Sequence, residues 1–321
     1  MSAFSSLRPT LTQIYPPRPA FTEANVPAGS QNGRVFIVTG GNAGIGFELC
    51  KILYAAGATV YMACRSKASQ KRCFEALSSA DYLQHAGQGR SGHQNYNRGV
   101  KSKTSSGQLK FLHLDLNDLL VVKAVAKSFA QQEDKLEVLW NNAGTGANGV
   151  TIGQRTAQDF EPMIGMHCVA TLLFTQLLLP QLRAAAAASG ESGKTRVIWT
   201  SSGLAEAGSP PNGIDFDVLD KGTNKSLQNY GASNAGNWIL SREFARRHGK
   251  DGIVSVCLNP GYLRTASFNG TPALVMFIMN RVMLHDAIFG AYTELYAGLS
   301  PDITLETAVR ISFPGAGSAP M

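Results

Sequence analysis

Arg34-Val-Phe-Ile-Val-Thr39-Gly-Gly-Asn-Ala-Gly-Ile-Gly46 is the stretch that decides the fold. A short β-branched run ends in a glycine cluster, and an apolar periodic segment over 45–56 follows. That is the pattern of a strand, a tight turn and a helix. Glycine suits such a turn because a pyrophosphate must come close to the backbone, while the helix N-terminus offers free N–H groups to the anion. Thr39, Gly40, Asn42, Gly44, Ile45 and Gly46 are therefore candidate cofactor-binding residues. A glycine cluster alone marks many ordinary turns; the strand before it and the helix after it give it weight.

Outward from this stretch, strands and helices alternate. Residues 59–64 read as a second strand and are followed by a polar helix to about Tyr82. Residues 109–114, 136–140, 196–200 and 253–258 read as strands three to six, and 309–313 as a short last one. Helices are expected over 118–132, 157–188 and 227–248. Strands apolar on both faces and separated by helices predict an α/β fold: a single-domain, Rossmann-like, doubly wound parallel sheet of about seven strands with helices on both faces. Residues 1–33 read as an N-terminal extension and 34–321 as the nucleotide-binding domain, with no internal repeat.

A net charge of +7 raises the question of nucleic acid. Arg90, Arg98, Lys101 and Lys103 lie together in a polar loop, 85–107, that contains no acid, so the excess belongs largely to one segment. No nucleic-acid-binding motif accompanies it, and no nucleic-acid partner is expected. Five scattered cysteines lack metal-ligand spacing, and no metal is expected. Cys64 and Cys257 fall in strand-like apolar runs and read as core residues. Reduced cysteines, no apolar leader and no run long enough to span a bilayer predict a cytoplasmic protein without a membrane partner.

The end of the second strand bears on the choice of cofactor. An acid there would bind the ribose 2′-hydroxyl of NAD, whereas a cation accommodates the 2′-phosphate of NADP. Cys64-Arg65-Ser66 has no nearby acid and favours NADP(H) through the planar guanidinium fork of Arg65. The competing reading of Arg65 is a solvated surface residue. Asp115, after the third strand, could accept from an adenine amino group or cap the following helix. Asn141-Asn142-Ala143-Gly144 combines amides with small residues, as a loop beside a nucleotide would.

Together, Thr39-Gly-x-x-x-Gly-Ile-Gly46, Asn141-Asn-Ala-Gly144, Ser201-Ser202, Tyr230 and Asn259-Pro-Gly261 with Thr265 resemble the short-chain dehydrogenase/reductase family over about residues 34 to 313. Tyr15-Pro-Pro-Arg-Pro19, Val138-Leu-Trp-Asn141, Ala235-Gly-Asn-Trp238 and Leu295-Tyr-Ala-Gly-Leu-Ser-Pro301 look like its fungal light-induced alcohol dehydrogenase-like branch, which implies secondary metabolism. The resemblance adds Leu116, Pro260, Gly261, Leu263 and Thr265, with Tyr230 and Asn234, to the cofactor-binding set. It also implies that a serine polarises a carbonyl, a tyrosine transfers a proton, a lysine holds the nicotinamide ribose and lowers the tyrosine pKa, and an asparagine holds a relay water. Ser202 and Tyr230 fill the first two places, but Asn234 stands at the lysine position and His167 at the asparagine position. The chain also carries Pro314-Gly-Ala-Gly317 where the family often has Pro-Trp-Gly.

Without the lysine cation, Tyr230 should stay protonated at neutral pH, which leaves carbonyl reduction open and handicaps alcohol oxidation. Asn234 retains the ability to bond a ribose hydroxyl. His167 is read either as a cation or proton relay, or as a packed core histidine. Residues 266–284 stand where the family carries its substrate lid, and their apolar helix with flexible methionines suits a bulky hydrophobic ligand. A dimer-forming or core helix is the competing reading, and a homodimer is a possible assembly. The expected function is an NADPH-dependent reductase of an apolar ketone or aldehyde. The alternatives are a non-redox isomerase, cyclase or dehydratase using Tyr230, Ser202 and His167, and a non-catalytic binding protein.

Overall fold

The computed structural model describes residues 15–66, 73 and 107–306. Six strands, β1 (Val35–Thr39), β2 (Thr59–Cys64), β3 (Gln108–His113), β4 (Val138–Asn141), β5 (Thr195–Thr200) and β6 (Ile253–Leu258), form one sheet in the order β3-β2-β1-β4-β5-β6. Every pairing is parallel, with Phe36 beside both Val60 and Val138 in the centre. The strand order reverses between β1 and β4, and the carboxyl ends of a sheet at such a switch point form the crevice where ligands bind.

Helices α1 (Gly44–Ala55), α2 (Leu119–Ala130), α3 (Pro162–Leu177), α4 (Leu179–Ser189), α5 (Leu204–Gly208), α6 (Ser226–His248), α7 (Ala273–Val282) and α8 (Ala287–Leu299) complete the described fold. Alternate residues of each strand feed two cores. Phe36, Val38, Val60, Trp140 and Val256 pack with Leu49 and Leu53 of α1 and Leu295 of α8. Ile37, Tyr61, Leu139 and Trp199 pack with Phe129 of α2, Phe174 of α3, Leu182 of α4 and Phe244 of α6. The doubly wound parallel sheet is as the sequence predicts. All of the expected polar helix after β2 but Cys73 and its first residues up to 66, most of the 85–107 loop and the 309–313 strand lie outside the described residues. Cys64 and Cys257 are buried, and none of the five cysteines is joined in a disulfide.

One expectation needs correction. The helix expected over 157–188 is two helices meeting at 55°. It cannot start before Pro162: Asp159 has a φ of 65°, and the Glu161 carboxylate accepts from the Ile164 N–H as a cap. Pro180, in the first turn of α4, has no N–H to continue the α3 ladder. Of the N-terminal extension, residues 15–33 are described. Val26 is buried in the first core, and the Phe21 ring meets Tyr296 of α8 edge-on at 6.0 Å. This part of the extension packs against the domain.

Candidate active site

The turn between β1 and α1 opens into a groove of about 680 Å³ at the carboxyl ends of the strands. Gly40 has a φ of 68° and Gly44 of 52°, backbone that a side chain rarely adopts. A Cβ on Gly46 would lie 2.6 Å from both the Asn142 Nδ2 and the Gly40 carbonyl oxygen, so this third glycine lets the helix start sit against the next loop. Ala43, preceding α1, supplies no side-chain cap, which leaves the first N–H groups of the helix open for an anion. Thr39 does not line the groove. Its Oγ1 donates to the Trp140 carbonyl at 3.1 Å and accepts from the Ala143 N–H at 2.9 Å, tying β1 to the loop after β4.

Gly40, Asn42, Gly44, Ile45, Arg65, Asp115, Leu116, Asn142, Ala143, Gly144 and Thr265 all line this groove. Arg65 is exposed at its rim, where among the described residues it pairs with no carboxylate. Asp115 does not cap α2, since Asp118 does so through the Leu120 N–H at 2.9 Å. The Asp115 carboxylate instead accepts from the Asn117 N–H and Nδ2 in a turn facing the groove. Of the two loop amides, Asn142 faces the groove and donates to the Thr39 carbonyl, whereas Asn141 is buried and donates to Thr175 Oγ1. The uncapped helix start, the glycine-shaped turn and the cation at the rim fit an extended nucleotide with an anionic centre. Among the described residues no cluster of His, Cys, Asp or Glu could hold a metal ion.

A second cavity of about 400 Å³ adjoins the first, and Ile45, Gly146, Thr265 and Ser267 line both. Ser202 from the β5 end and Tyr230 from α6 line it, with Pro260, Gly261 and Leu263 on one wall. Leu204, Leu227, Tyr262, Phe268 and Met279 make the remainder largely apolar. Burial pushes the Tyr230 phenol above its ordinary pKa, although hydrogen bonding from Ser202 and Asn234 pulls the other way.

Asn234 itself lines neither cavity. It is buried, and its amide turns back to donate to the Tyr230 carbonyl at 2.8 Å. Its own carbonyl accepts from Ser201 Oγ at 2.9 Å, which locks the β5 end onto α6. The structure therefore does not bring Asn234 to the groove as a ribose ligand.

His167 lies within a π-helical turn of α3, Gly165–Ala170, an irregularity that often accompanies functional sites. Its ring stands edge-on to Tyr230 at 6.0 Å. Nε2 accepts from the Thr145 N–H at 3.0 Å, which assigns the ring proton to Nδ1. Nδ1 lies 2.8 Å from Ser233 Oγ, whose own proton goes to the Tyr230 carbonyl. Burial lowers the His167 pKa to about 4. Of the two readings of His167 this geometry favours the packed histidine: it ties the loop after β4 to the tyrosine helix, with both ring nitrogens occupied and burial favouring the neutral ring.

The segment expected as a lid contains α7, and Met279 reaches the second cavity. Sequence reasoning missed Thr145, Gly146 and Ser233. Gly146 has a readable signal, as a glycine two residues beyond the Asn-Asn-Ala-Gly motif; its Cβ would overlap the Ser267 carbonyl of the lid segment. Ser233 carries none, since only the fold sets its hydroxyl opposite His167.

Known proteins resemble this chain in sequence and in fold. A short chain dehydrogenase family model matches residues 89–214. A short-chain dehydrogenase/reductase of Pestalotiopsis fici is 44% identical over 303 residues, covering 94% of this chain and 86% of its own. One of Phomopsis amygdali is 40% identical, covering 95% and 84%. Among solved structures, the NADPH-bound carbonyl reductase from chicken fatty liver superposes with a TM-score of 0.58 at 22% identity over 88% of this chain and 96% of its own. A 3-oxoacyl-[acyl-carrier protein] reductase from Brucella melitensis gives 0.63 at 16% identity over 91% and 93%.

Proposed function

The chain belongs to the short-chain dehydrogenase/reductase family, and from that premise we propose that it is an NADPH-dependent reductase of a bulky apolar ketone or aldehyde. The observation that carries this reading is the placing of the Ser202 and Tyr230 side chains on a largely apolar cavity that shares a wall with the nucleotide groove. Gly40, Gly44 and the open start of α1 would hold the pyrophosphate, and Arg65 the 2′-phosphate. NADPH, when bound, supplies the hydride. Ser202 Oγ donates to the substrate carbonyl oxygen and orients it. Tyr230 Oη, kept protonated by burial, gives that oxygen its proton as negative charge develops. The apolar walls exclude water from this transfer. A place in secondary metabolism is part of the same proposal and rests on the sequence resemblance.

A fluorescence titration with NADPH, and with NADH for comparison, tests the cofactor; a carbonyl screen that follows NADPH absorbance then tests the chemistry. Tight NADPH binding, turnover of apolar ketones or aldehydes, and loss of turnover in Tyr230→Phe are the expected results. Failure to bind either nucleotide would remove the reading. The position of Asn234, buried and turned onto its own helix, favours one second reading: a non-redox isomerase, cyclase or dehydratase on the same scaffold. That enzyme would form product with no change in nicotinamide absorbance.

A further inference from the structure

Helix α7 reverses the usual arrangement of a surface helix. None of its residues is buried, and Leu274, Val275, Phe277, Ile278 and Val282 are 73%, 44%, 67%, 54% and 50% exposed. At about 100° per residue these five, with Arg281, occupy one outward arc of roughly 160°. Met276, Met279 and Met283 lie on the opposite arc and are half-buried toward the body of the protein. The polar residues expected outside are missing from where water would meet them. Such a face is a docking surface when something identifies its occupant.

Charge and size identify it. From Gly252 to His285 the sequence contains no Asp or Glu, while Arg264 and Arg281 supply cations. Arg264 is engaged by Asp286 at 3.4 Å, but Arg281, on the outward arc, pairs with no carboxylate among the described residues. An apolar arc carrying an unpaired arginine matches an anionic lipid interface, where the side chains enter the acyl boundary and the guanidinium stays at the phosphates. A second copy fits less well. Ten residues of helix span about 15 Å, and the patch offers on the order of 500 Å², short of the ~800 Å² each side of a stable dimer contributes.

We infer that α7 docks the protein peripherally on an anionic lipid surface, with the opening of the second cavity beside the point of contact. Phe268, Thr271 and Met279 line that cavity and belong to the same segment, so an apolar molecule dissolved in the lipid would have a short path to Ser202 and Tyr230. Among the described residues no single helix is long and apolar enough to cross a membrane, and docking of this kind needs none. The proposed docking is a lipid contact where the sequence alone predicts none.

The test is flotation of the full-length protein with vesicles of phosphatidylcholine containing one-third phosphatidylserine, without nucleotide or substrate. Because it does not depend on turnover, its outcome is separate from that of the reductase reading. Wild type should float. Leu274→Glu with Phe277→Glu should lower the partition coefficient at least tenfold and leave the melting temperature unchanged. Arg281→Gln should lower it severalfold and flatten its salt dependence. Wild type that does not float, double-variant protein that floats equally, or equal binding to pure phosphatidylcholine would each overturn the inference. So would a lipid-free dimer that the double variant converts to monomer, since the occupant would then be a second copy.

Discussion

Replacing Glu294 by glutamine should stabilise this protein at alkaline pH and leave it nearly unchanged in acid. Glu294, on α8, is fully buried beneath the β5 end. Its Oε1 accepts from Thr200 Oγ1 at 2.5 Å, and its Oε2 has no partner among the described residues. One neutral hydrogen bond does not replace the lost hydration of a carboxylate, and burial raises the pKa from 4.5 to about 8. The folded chain therefore holds a proton that the unfolded chain releases above pH 4.5. The associated stability is complete below pH 4.5, declines as pH rises, and is gone above pH 8. At 1.36 kcal/mol per unit, the loss is about 3 kcal/mol at pH 7 and roughly 5 kcal/mol above pH 8. Glutamine keeps an acceptor for Thr200 and does not titrate. Urea unfolding of both proteins from pH 4.5 to 9 should give free energies that agree within about 1 kcal/mol at the acid end and diverge by several at the alkaline end. A wild-type-minus-variant difference that stays constant with pH would refute the buried-acid argument, because every other titrating group is common to both proteins.

The opposite sign applies to His167, whose folded pKa of about 4 lies below the ordinary 6.5. Its stability contribution is present above pH 6.5 and is lost as pH falls toward 4, so His167→Asn should gain on wild type by up to about 3 kcal/mol near pH 4. Acid unfolding monitored by circular dichroism checks this. Arg196 is buried, has no acid partner among the described residues and donates to the carbonyls of Gly193, Ala297, Ser300 and Ile303, clamping the end of α8 to β5. Arg196→Met should cost about 3–5 kcal/mol in urea unfolding, because several buried acceptors lose their donor together. On the proposed reading, Arg65→Glu should weaken NADPH binding about tenfold to a hundredfold while affecting NADH far less, as measured by nucleotide fluorescence.

The sheet was legible because period and composition report burial directly: residues 59–64 and 253–258 are strands with the bounds their apolar runs give. The groove at the turn between β1 and α1 was legible for a different reason. Glycine identity encodes backbone geometry, so Gly40, Gly44 and Gly46 announce a close approach by residue type alone. Side-chain direction is not encoded in this way. Asn234 and His167 are each one polar residue on a helix, and only the packing of α3 against α6 turns one onto the Tyr230 carbonyl and pins the other between Thr145 and Ser233. Glu294 was equally hidden. A glutamate on an amphipathic helix reads as solvated, and its burial follows from α8 lying across the sheet with Trp140 donating to the Glu294 carbonyl at 2.9 Å.

These departures point one way. A site that takes a proton from an alcohol needs a base, and bases here would come from an ionised phenol beside a cation or from a basic imidazole. Tyr230 is raised rather than lowered, Asn234 brings no charge, and His167 is neutral with its accepting nitrogen already bonded to the Thr145 N–H. Each therefore holds its neutral form at physiological pH. A site that gives a proton to a carbonyl oxygen needs only an acid that remains protonated until charge develops, and a buried phenol with Ser202 beside it meets that requirement without the cation. The proposed reductase direction thus uses the electrostatics of the site as they stand, whereas the oxidative direction would require a charge that these residues do not provide.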